Sequence, residues 1–265
     1  MSQHWPELSA LDRPEVLQFV FYPRRDFCAK RSSANVLAGS IPVEEAVSIS
    51  YCLYFGDRKY PNILFFHGNG EIASDYEDIG HVYNQIGVNL FVADYRGYGW
   101  SDGEPTLAGM IRDAHHIFDG FKQVLKNTGL SGGLFLMGRS LGSASAIELA
   151  CHYQAQLKGL ILESGFVNVF NLLDYLGFPF QAMGITAPET PAGLELVRKI
   201  YIPTLIIHGE YDQIVPVTEG KALYENIGAK DKRLLIIPGV DHNTILLGGM
   251  QKYFEELRSF VLAHS

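Results

Sequence analysis

Three serines of this sequence lie in the pattern G-x-S-x-G, which is typical of a serine that attacks an ester or amide carbonyl. They are Ser101, Ser131 and Ser140. Such a nucleophile needs a strand leading into it and a helix starting directly after it. Only Ser140 has both, because the apolar residues 134–137 precede it and small and apolar residues at helical spacing follow at 141–150.

The other two serines have different surroundings. Ser131 precedes the apolar run and fits a turn, and Ser101 follows an earlier apolar run and fits a loop near Pro105. Gly138 and Gly142 flank Ser140 and leave room for a helix to pack closely against the neighbouring strands. The sequence therefore predicts Ser140 as the nucleophile.

A serine hydroxyl is a weak nucleophile at neutral pH and needs a histidine base that a carboxylate orients. In an open parallel sheet these groups lie at the carboxyl ends of strands. His242 follows the last apolar run of the chain and is the predicted base. His67 and His208 also end such runs, but a glycine follows each directly, which indicates a buried turn residue.

Asp212 is the predicted orienting acid, because it follows a strand end in a loop that Pro216 closes. Glu163, which ends another apolar run, is the alternative, since a carboxylate there could also reach the base. Asp241 adjoins His242 and is poorly placed to hold its ring, because adjacent residues of an extended chain point apart.

Acyl transfer also requires N–H donors for the oxyanion. The backbone N–H of Leu141, directly after the nucleophile, is one predicted donor. The second is the backbone N–H of Asn69, in the glycine-rich turn HGNG at residues 67–70. A phosphate-binding loop is the alternative for this turn, but it has neither a P-loop lysine nor the G-x-G-x-x-G spacing.

Composition sets the broader class. The 265 residues fit one domain, and 47% hydrophobic with 19% charged residues is an ordinary globular balance. The net charge of −8 argues against a nucleic-acid partner and does not favour an anionic membrane surface. No apolar run is long enough to span a membrane, and the N-terminus lacks the pattern of a secretory signal.

The cysteines bear on the compartment. Cys28, Cys52 and Cys151 are widely spaced without a C-x-x-C pair, which favours a reducing compartment and excludes a cysteine zinc cluster. We therefore expect a cytoplasmic protein without cofactor or metal. It would act on a small-molecule acyl substrate as a monomer or a homodimer.

Short β-type runs alternate with helical stretches along the chain. The predicted strands are residues 16–22, 47–55, 63–66, 90–93, 134–137, 160–162, 204–207 and 234–237. The predicted helices are residues 73–86, 107–126, 141–154, 219–227 and 248–262. The last six strands are almost continuously apolar, as in parallel strands covered on both faces. The first two lack a helix between them, which predicts an antiparallel N-terminal edge on a mostly parallel, eight-stranded sheet.

One long connection interrupts this alternation. Residues 164–203 are rich in phenylalanine and are broken up by Pro179, Pro188 and Pro191. We interpret them as a small cap over the strand ends, inserted into a single domain of residues 1–265; a packed-down aromatic loop is the alternative. Phe166 and Phe170 are the predicted walls of the substrate pocket.

Together these segments resemble the motifs of the α/β-hydrolase superfamily. They are HGNG at 67–70, DYRGYGWSDGEPT at 94–106, GRSLGS at 138–143, HGEYDQIVP at 208–216 and GVDHN at 239–243, in family order from about residue 45 onward. More narrowly, DYRGYG with GRSLG resembles the small-capped serine hydrolases that include the abhydrolase-domain protein depalmitoylases. The resemblance implies an α/β-hydrolase fold with Ser140, Asp212 and His242 as nucleophile, acid and base.

The expected activity is hydrolysis of carboxylic esters or thioesters of short to medium acyl groups through an acyl-enzyme on the serine. Two alternatives stay open. One is a serine peptidase or acyltransferase that uses the same triad, and the other is a non-catalytic ligand-binding protein built on a hydrolase fold.

Overall fold

One mixed sheet runs through the part of the protein that the computed structural model describes, which is residues 5–26, 33–189 and 191–265. Its strands are β1 (Val36–Glu44), β2 (Val47–Tyr54), β3 (Asn62–Phe66), β4 (Asn89–Ala93), β5 (Leu134–Arg139), β6 (Gly159–Glu163), β7 (Thr204–Gly209) and β8 (Lys232–Ile237). Their spatial order is β1-β2-β4-β3-β5-β6-β7-β8. The pairs β1–β2 and β2–β4 are antiparallel and the others parallel. The predicted eight-stranded sheet with its antiparallel edge is confirmed.

Helices cover both faces of this sheet. They are α1 (Pro6–Ala10), α2 (Pro14–Val20), α3 (Glu77–Gln85), α4 (Leu107–Thr128), α5 (Gly142–Tyr153), α6 (Val169–Tyr175), α7 (Ala192–Arg198), α8 (Val217–Asn226) and α9 (Ile245–Ala263). On β3, Leu64 and Phe66 pack in a core with α4 and α5, whereas Ile63 and Phe65 pack with α3 and α9. Burial on both faces explains why the central strands are continuously apolar in sequence.

The first predicted strand is wrong, because most of residues 16–22 form the helix α2. This helix has Pro14 in its first turn together with Glu15, both of which favour a helix start. Val16 and Val20 are buried one helical turn apart. The apolar residues of this stretch therefore follow a helical rather than an alternating period.

The edge position belongs instead to β1, which the sequence analysis did not predict. Gly39 and Pro42 interrupt its apolar pattern, and both residues are tolerated in an edge strand. Gly39 lies opposite Tyr51 of β2. A Cβ at this glycine would lie 2.5 Å from the Tyr51 hydroxyl oxygen, so the glycine makes room for the ring.

The N-terminal helices are fixed beside the start of α4. The Asp12 carboxylate accepts a hydrogen bond of 2.7 Å from the backbone N–H of Leu107, the first residue of α4. Thr106 caps the same helix by accepting from the Gly109 N–H at 2.9 Å. The short N-terminal helices are thereby held against the body of the protein.

Residues 164–203, the predicted cap, contain two short helices with different contacts. α7 packs against α5 and α8, whereas residues of α6 line the cavity described below. Arg13 Nη1 donates to the Met183 carbonyl at 2.8 Å. This hydrogen bond joins the segment to the N-terminal helices.

Two of the three cysteines, Cys52 and Cys151, lie in the described residues and are free thiols. Cys28 lies outside the described residues. Among the helices of the described ranges, none combines the length and the apolar composition that a membrane span requires.

Candidate active site

Ser140 lies in the sharp turn between β5 and α5. Its φ is +51°, a left-handed conformation that is uncommon for residues other than glycine and indicates local strain. A Cβ at Gly138 would lie 2.5 Å from the Gly142 carbonyl oxygen, and one at Gly142 would overlap the carbonyl of Phe66. The two glycines are therefore required for this close strand–turn–helix connection.

The other two G-x-S-x-G serines make structural hydrogen bonds. Ser101 is 1% exposed, and its Oγ hydrogen-bonds the Oγ of Ser50 at 2.8 Å. Ser131 Oγ donates to the Arg58 carbonyl at 3.3 Å, in the turn before β5. Ser140 lines a cavity to which neither of these serines contributes.

Asp212 and His242 meet at the ends of β7 and β8. His242 Nδ1 is 2.7 Å from Asp212 Oδ2. The other carboxylate oxygen accepts from the backbone N–H groups of Ile214 and Val215, at 3.0 and 2.8 Å. The loop after β7 therefore fixes the carboxylate that contacts the imidazole.

The charge of Asp212 determines the tautomer of His242. Burial raises the pKa of Asp212, but the hydrogen bond and charge of His242 and the N–H of Val215 outweigh it, so the pKa lies below its usual value. An ionised carboxylate only accepts hydrogen bonds, so the proton of this pair lies on His242 Nδ1. Nε2 is then left with the lone pair that a general base needs.

Ser140 and His242 line the same cavity, although no hydrogen bond joins their side chains in the described structure. Such contacts are often long in unliganded enzymes and tighten when substrate binds. The geometry thus brings all three predicted triad residues to one site.

The alternative carboxylates have other partners. Glu163 accepts from Arg139 Nε at 2.9 Å and from the Tyr253 hydroxyl at 2.7 Å, and not from the His242 ring. Asp241 Oδ1 accepts from the backbone N–H groups of Asn243 and Thr244, both at 3.0 Å. Asp212 is therefore the carboxylate that hydrogen-bonds the imidazole.

His67 and His208 are both fully buried, His67 directly after β3 and His208 within β7. His67 contacts Asp94 at 3.2 Å, and His208 contacts the Val215 carbonyl at 2.8 Å. Burial lowers the pKa of His208. The predicted burial of both residues is confirmed, but His208 lies in β7 and not in a turn, because this strand continues to Gly209.

Two backbone N–H groups that line the cavity of Ser140 are available to bind an oxyanion. Those of Asn69 and Leu141 donate to no acceptor within the described part of the chain, and both residues line the cavity. The Asn69 side chain is fixed from two directions, because its Oδ1 accepts from the Tyr98 hydroxyl at 2.7 Å and from the Tyr22 N–H at 3.0 Å. These are the predicted oxyanion donors.

Arg139, directly before Ser140, connects three loops of the site. Its Nε donates to Glu163, its Nη1 pairs with Glu71, and its Nη2 donates to the His242 carbonyl at 2.6 Å. Glu71 in turn accepts from the backbone N–H of Gly68 at 2.8 Å. One guanidinium thereby connects the loop of His242 and the turn of Asn69 to the residue before Ser140.

This cluster sets one cation, Arg139, between two carboxyl groups, Glu71 and Glu163. Burial raises the pKa of Glu71, but the Arg139 charge and the Tyr76 hydroxyl bring it below the usual value. Burial also raises the pKa of Glu163, and this effect exceeds the lowering by the Arg139 charge, so the pKa of Glu163 lies above its usual value. The guanidinium is the cation that the buried Glu163 and the partly buried Glu71 both contact.

Replacing Arg139 with methionine is expected to lower the free energy of unfolding by about 3–5 kcal/mol, because it leaves the buried Glu163 and the partly buried Glu71 without their cation. Urea denaturation measures this loss. Arg233→Met is the control, since Arg233 pairs with Glu256 at the surface and such pairs contribute about 1 kcal/mol or less. Equal losses in the two variants would contradict the role assigned to Arg139.

A cavity of about 550 Å³ opens over Ser140. Its walls come from the N-terminal segment, the start of α4, α6 and the loop after β7: Trp5, Leu8, Phe19, Val20, Tyr22, Leu107, Met110, Phe166, Val169, Leu172, Leu173, Leu176, Ile214 and Val215. Of the described residues that line it, only Arg139 carries a permanent charge. An apolar cavity of this size accepts a small organic ligand or acyl chain.

The structure separates the two predicted wall residues. Phe166 lines the cavity, whereas Phe170 does not and instead packs against Phe180, with ring centroids 5.4 Å apart. The lining positions of α6 and its end are 169, 172, 173 and 176, which form one helical stripe. Phe170 lies off that stripe, so its assignment as a wall is corrected.

The sequence motifs do not predict the contacts of several residues of the site. Two of these residues, Arg139 and Tyr98, lie inside the motifs GRSLG and DYRGYG, and the third, Glu71, directly follows HGNG. A charged residue at the end of a buried strand requires a partner, which is a readable signal for Arg139. Trp5 and Leu8 had no such signal, because their place over the site depends on the fold of the N-terminal segment.

Comparison with known proteins agrees with this geometry. The model of the Hydrolase_4 family, described as "Serine aminopeptidase, S33", matches residues 58–188 and 190–246. Protein bem46 of Schizosaccharomyces pombe is 30% identical over 207 residues, which are 76% of this chain and 67% of that protein. Lysophosphatidylserine lipase ABHD12 of Xenopus tropicalis is 34% identical over 194 residues, 66% of this chain and 49% of that protein. The chain thus spans about half the length of its ABHD12 relatives.

Solved structures share the fold at low identity. The Pyrococcus furiosus esterase Pf2001 superposes with a TM-score of 0.71 at 18% identity, over 91% of this chain and 98% of that one. Est1E of Butyrivibrio proteoclasticus with bound ferulic acid also gives 0.71, at 22% identity over 86% and 99%. Since the family model matches more than half of its residues, the chain belongs to the Hydrolase_4 family of the α/β-hydrolase superfamily.

Proposed function

We propose that the protein is a serine hydrolase that cleaves carboxylic esters or thioesters through an acyl-enzyme on Ser140. The observation that carries this proposal is the hydrogen bond of 2.7 Å between Asp212 and His242 at a cavity into which the strained Ser140 opens. Relatives named as lipases and esterases support a hydrolase in general terms.

In the first half-reaction, His242 Nε2 takes the proton of Ser140 Oγ as this oxygen attacks the substrate carbonyl carbon. The Asn69 and Leu141 N–H groups stabilise the resulting oxyanion. When the tetrahedral intermediate collapses, the bond to the leaving alcohol or thiol breaks, and His242 returns the proton to that group. The acyl group remains on the serine.

The second half-reaction uses water in place of the leaving group. His242 deprotonates a water molecule that attacks the ester of Ser140, and the same N–H groups stabilise the second oxyanion. The proton then returns to Ser140 Oγ and the acid is released. Throughout, Asp212 stays ionised and stabilises the imidazolium.

The cavity favours an acyl substrate over a peptide with a free N-terminus. An aminopeptidase must neutralise the α-ammonium of its substrate, and a buried cation requires an anionic partner. No aspartate or glutamate is among the described residues that line this cavity, and its permanent charge is the cation of Arg139. The lining instead suits the chain of an ester.

We propose short to medium acyl groups, because side chains of α6 and of the N-terminal helices form walls of the cavity. A single-chain lipid ester is the second candidate substrate. It is favoured by the similarity to lysophosphatidylserine lipase ABHD12 and by the apolar character of the walls. The two candidates differ in the chain length at which activity is greatest.

A series of p-nitrophenyl esters distinguishes them. We expect kcat/KM to rise by about fourfold per methylene while the chain gains burial, to peak between C2 and C8, and to fall beyond, without interfacial activation. A maximum at C16 would favour the single-chain lipid instead. Esters that are not turned over at any length would contradict both.

Leu172→Trp tests whether the α6 stripe forms the wall. The larger side chain is expected to shift the preferred acyl group to a shorter chain, because Leu172 lines the cavity. Tyr175→Trp is the matched control on the same helix, since Tyr175 is 55% exposed and outside the lining. A shift in both variants, or in neither, would contradict this position of the wall.

A further inference from the structure

Away from the proposed active site, two histidines and a glutamate converge between α4 and α5. His115 lies in the middle of α4, and Glu148 and His152 lie one turn apart on α5. Their potential ligand atoms all lie within 4.8 Å of one another. We propose that His115, Glu148 and His152 bind a divalent transition-metal ion, Zn²⁺ above all.

The distances suit the coordination shell of zinc. His115 Nε2 and His152 Nδ1 are each 3.2 Å from Glu148 Oε1. Ligands held about 2.0–2.1 Å from a tetrahedral Zn²⁺ are separated by roughly 3.3 Å. Two of the three edges of the site therefore already have the required length, and the third is within 4.8 Å. Metal binding would replace the contact of 3.2 Å between His152 Nδ1 and the Glu148 carbonyl oxygen.

The neighbouring tyrosine suits a metal-binding histidine. The Nδ1 of His115 is 3.0 Å from the Tyr153 hydroxyl oxygen. Histidine ligands usually donate their second ring N–H to an oxygen, which fixes the tautomer and directs the other nitrogen to the metal. The Tyr153 hydroxyl oxygen has a lone pair that can accept this hydrogen bond and so fix the ring of His115.

Burial and access both fit a bound ion. The Glu148 side chain is 2% exposed, whereas those of His115 and His152 are 15% and 27% exposed. The carboxylate thus lies at the base of the site, and the two imidazoles form a rim that solvent reaches. Two imidazoles and one carboxylate are ligands that Zn²⁺ accepts, with water in the fourth position.

The site would clamp α4 to α5 without entering the acyl-transfer chemistry. His152 lies twelve residues after Ser140, which corresponds to about 15–18 Å along a helix. The proposal is therefore independent of the proposed function. Metal binding should stabilise the fold and leave ester hydrolysis unchanged.

The test is a titration of the untagged, chelator-treated protein with ZnSO₄, followed by calorimetry and by metal analysis of the dialysed complex. We expect one ion per chain and a rise in Tm of about 5 °C at saturation. His115→Ala, His152→Ala and Glu148→Gln should each weaken binding by at least about tenfold. His116→Ala is the matched control, because His116 adjoins His115 on α4 but is exposed, and it should bind like the wild type.

Co²⁺ provides a readout on the wild type that does not depend on how well any variant folds. A tetrahedral site gives intense visible absorption bands, whereas hydrated octahedral Co²⁺ gives weak ones. The proposal is overturned if wild-type protein binds no more metal than the Glu148→Gln variant. It is also overturned if His116→Ala weakens binding as much as His115→Ala, or if the bound Co²⁺ has the octahedral spectrum.

Discussion

Ser140→Ala is expected to lower kcat/KM for p-nitrophenyl acetate by at least about 10³-fold, since only binding and oxyanion stabilisation remain without the nucleophile. Alanine also lacks the hydroxyl that a fluorophosphonate probe would modify, so labelling of the protein should disappear. The fold should persist, because the Ser140 backbone N–H still donates to the Glu163 carbonyl, at 2.9 Å in the native protein. Steady-state kinetic assays measure the loss of kcat/KM, and gel-based detection of the probe measures the loss of labelling.

Ser101→Ala is the matched control for the same motif. Ser101 hydrogen-bonds Ser50 in a buried cluster, so its loss should reduce stability more than turnover. Activity that survives in Ser140→Ala and disappears in Ser101→Ala would show that the nucleophile lies at the other motif. Labelling of the wild type without turnover of any ester would favour a peptidase, an acyltransferase or a ligand-binding protein.

The central sheet and the triad positions could be predicted because the sequence carries strong local signals for them. A strand buried on both faces reads as an uninterrupted apolar run, as in residues 134–137 before Ser140. Catalytic side chains in such sheets follow strand ends, which limits the choice of base and acid. The hydrogen bond between Asp212 and His242 joins two residues predicted in this way.

Other features depend on contacts between distant segments, which a local pattern does not report. The residue type and position of Phe170 predict a pocket wall, but the direction of its side chain depends on where α6 begins. Arg139 contacts Glu71 and His242, which are far apart in sequence and meet only once the sheet is assembled. The sequence of the N-terminal helix α2 resembles a strand because four of its seven residues are apolar. The edge strand β1 does not resemble one, because Gly39 and Pro42 interrupt its apolar pattern.

The carboxylate that orients His242 is the choice that the sequence left open, and one pair of variants decides it. Asp212→Asn should lower kcat by about 10⁴-fold, because an amide cannot hold Nδ1–H in the required tautomer or stabilise the imidazolium. Glu163→Gln removes the other buried carboxylate at a neighbouring strand end and serves as the comparison. Its amide oxygen can still accept from Arg139 or Tyr253, so it should retain most of the activity.

The pH profile adds a readout that a purely structural change would not alter. In the wild type the pKa of Asp212 lies below its usual value, so its carboxylate should stay ionised as the pH falls along the acid limb of the activity profile. Asp212→Asn removes the charge that stabilises the imidazolium, so the acid limb of kcat/KM should move to lower pH as the rate falls. Glu163→Gln should leave this limb in place. The reverse result, with Glu163→Gln inactive and Asp212→Asn nearly normal, would make Glu163 the orienting acid despite its hydrogen bonds to Arg139 and Tyr253.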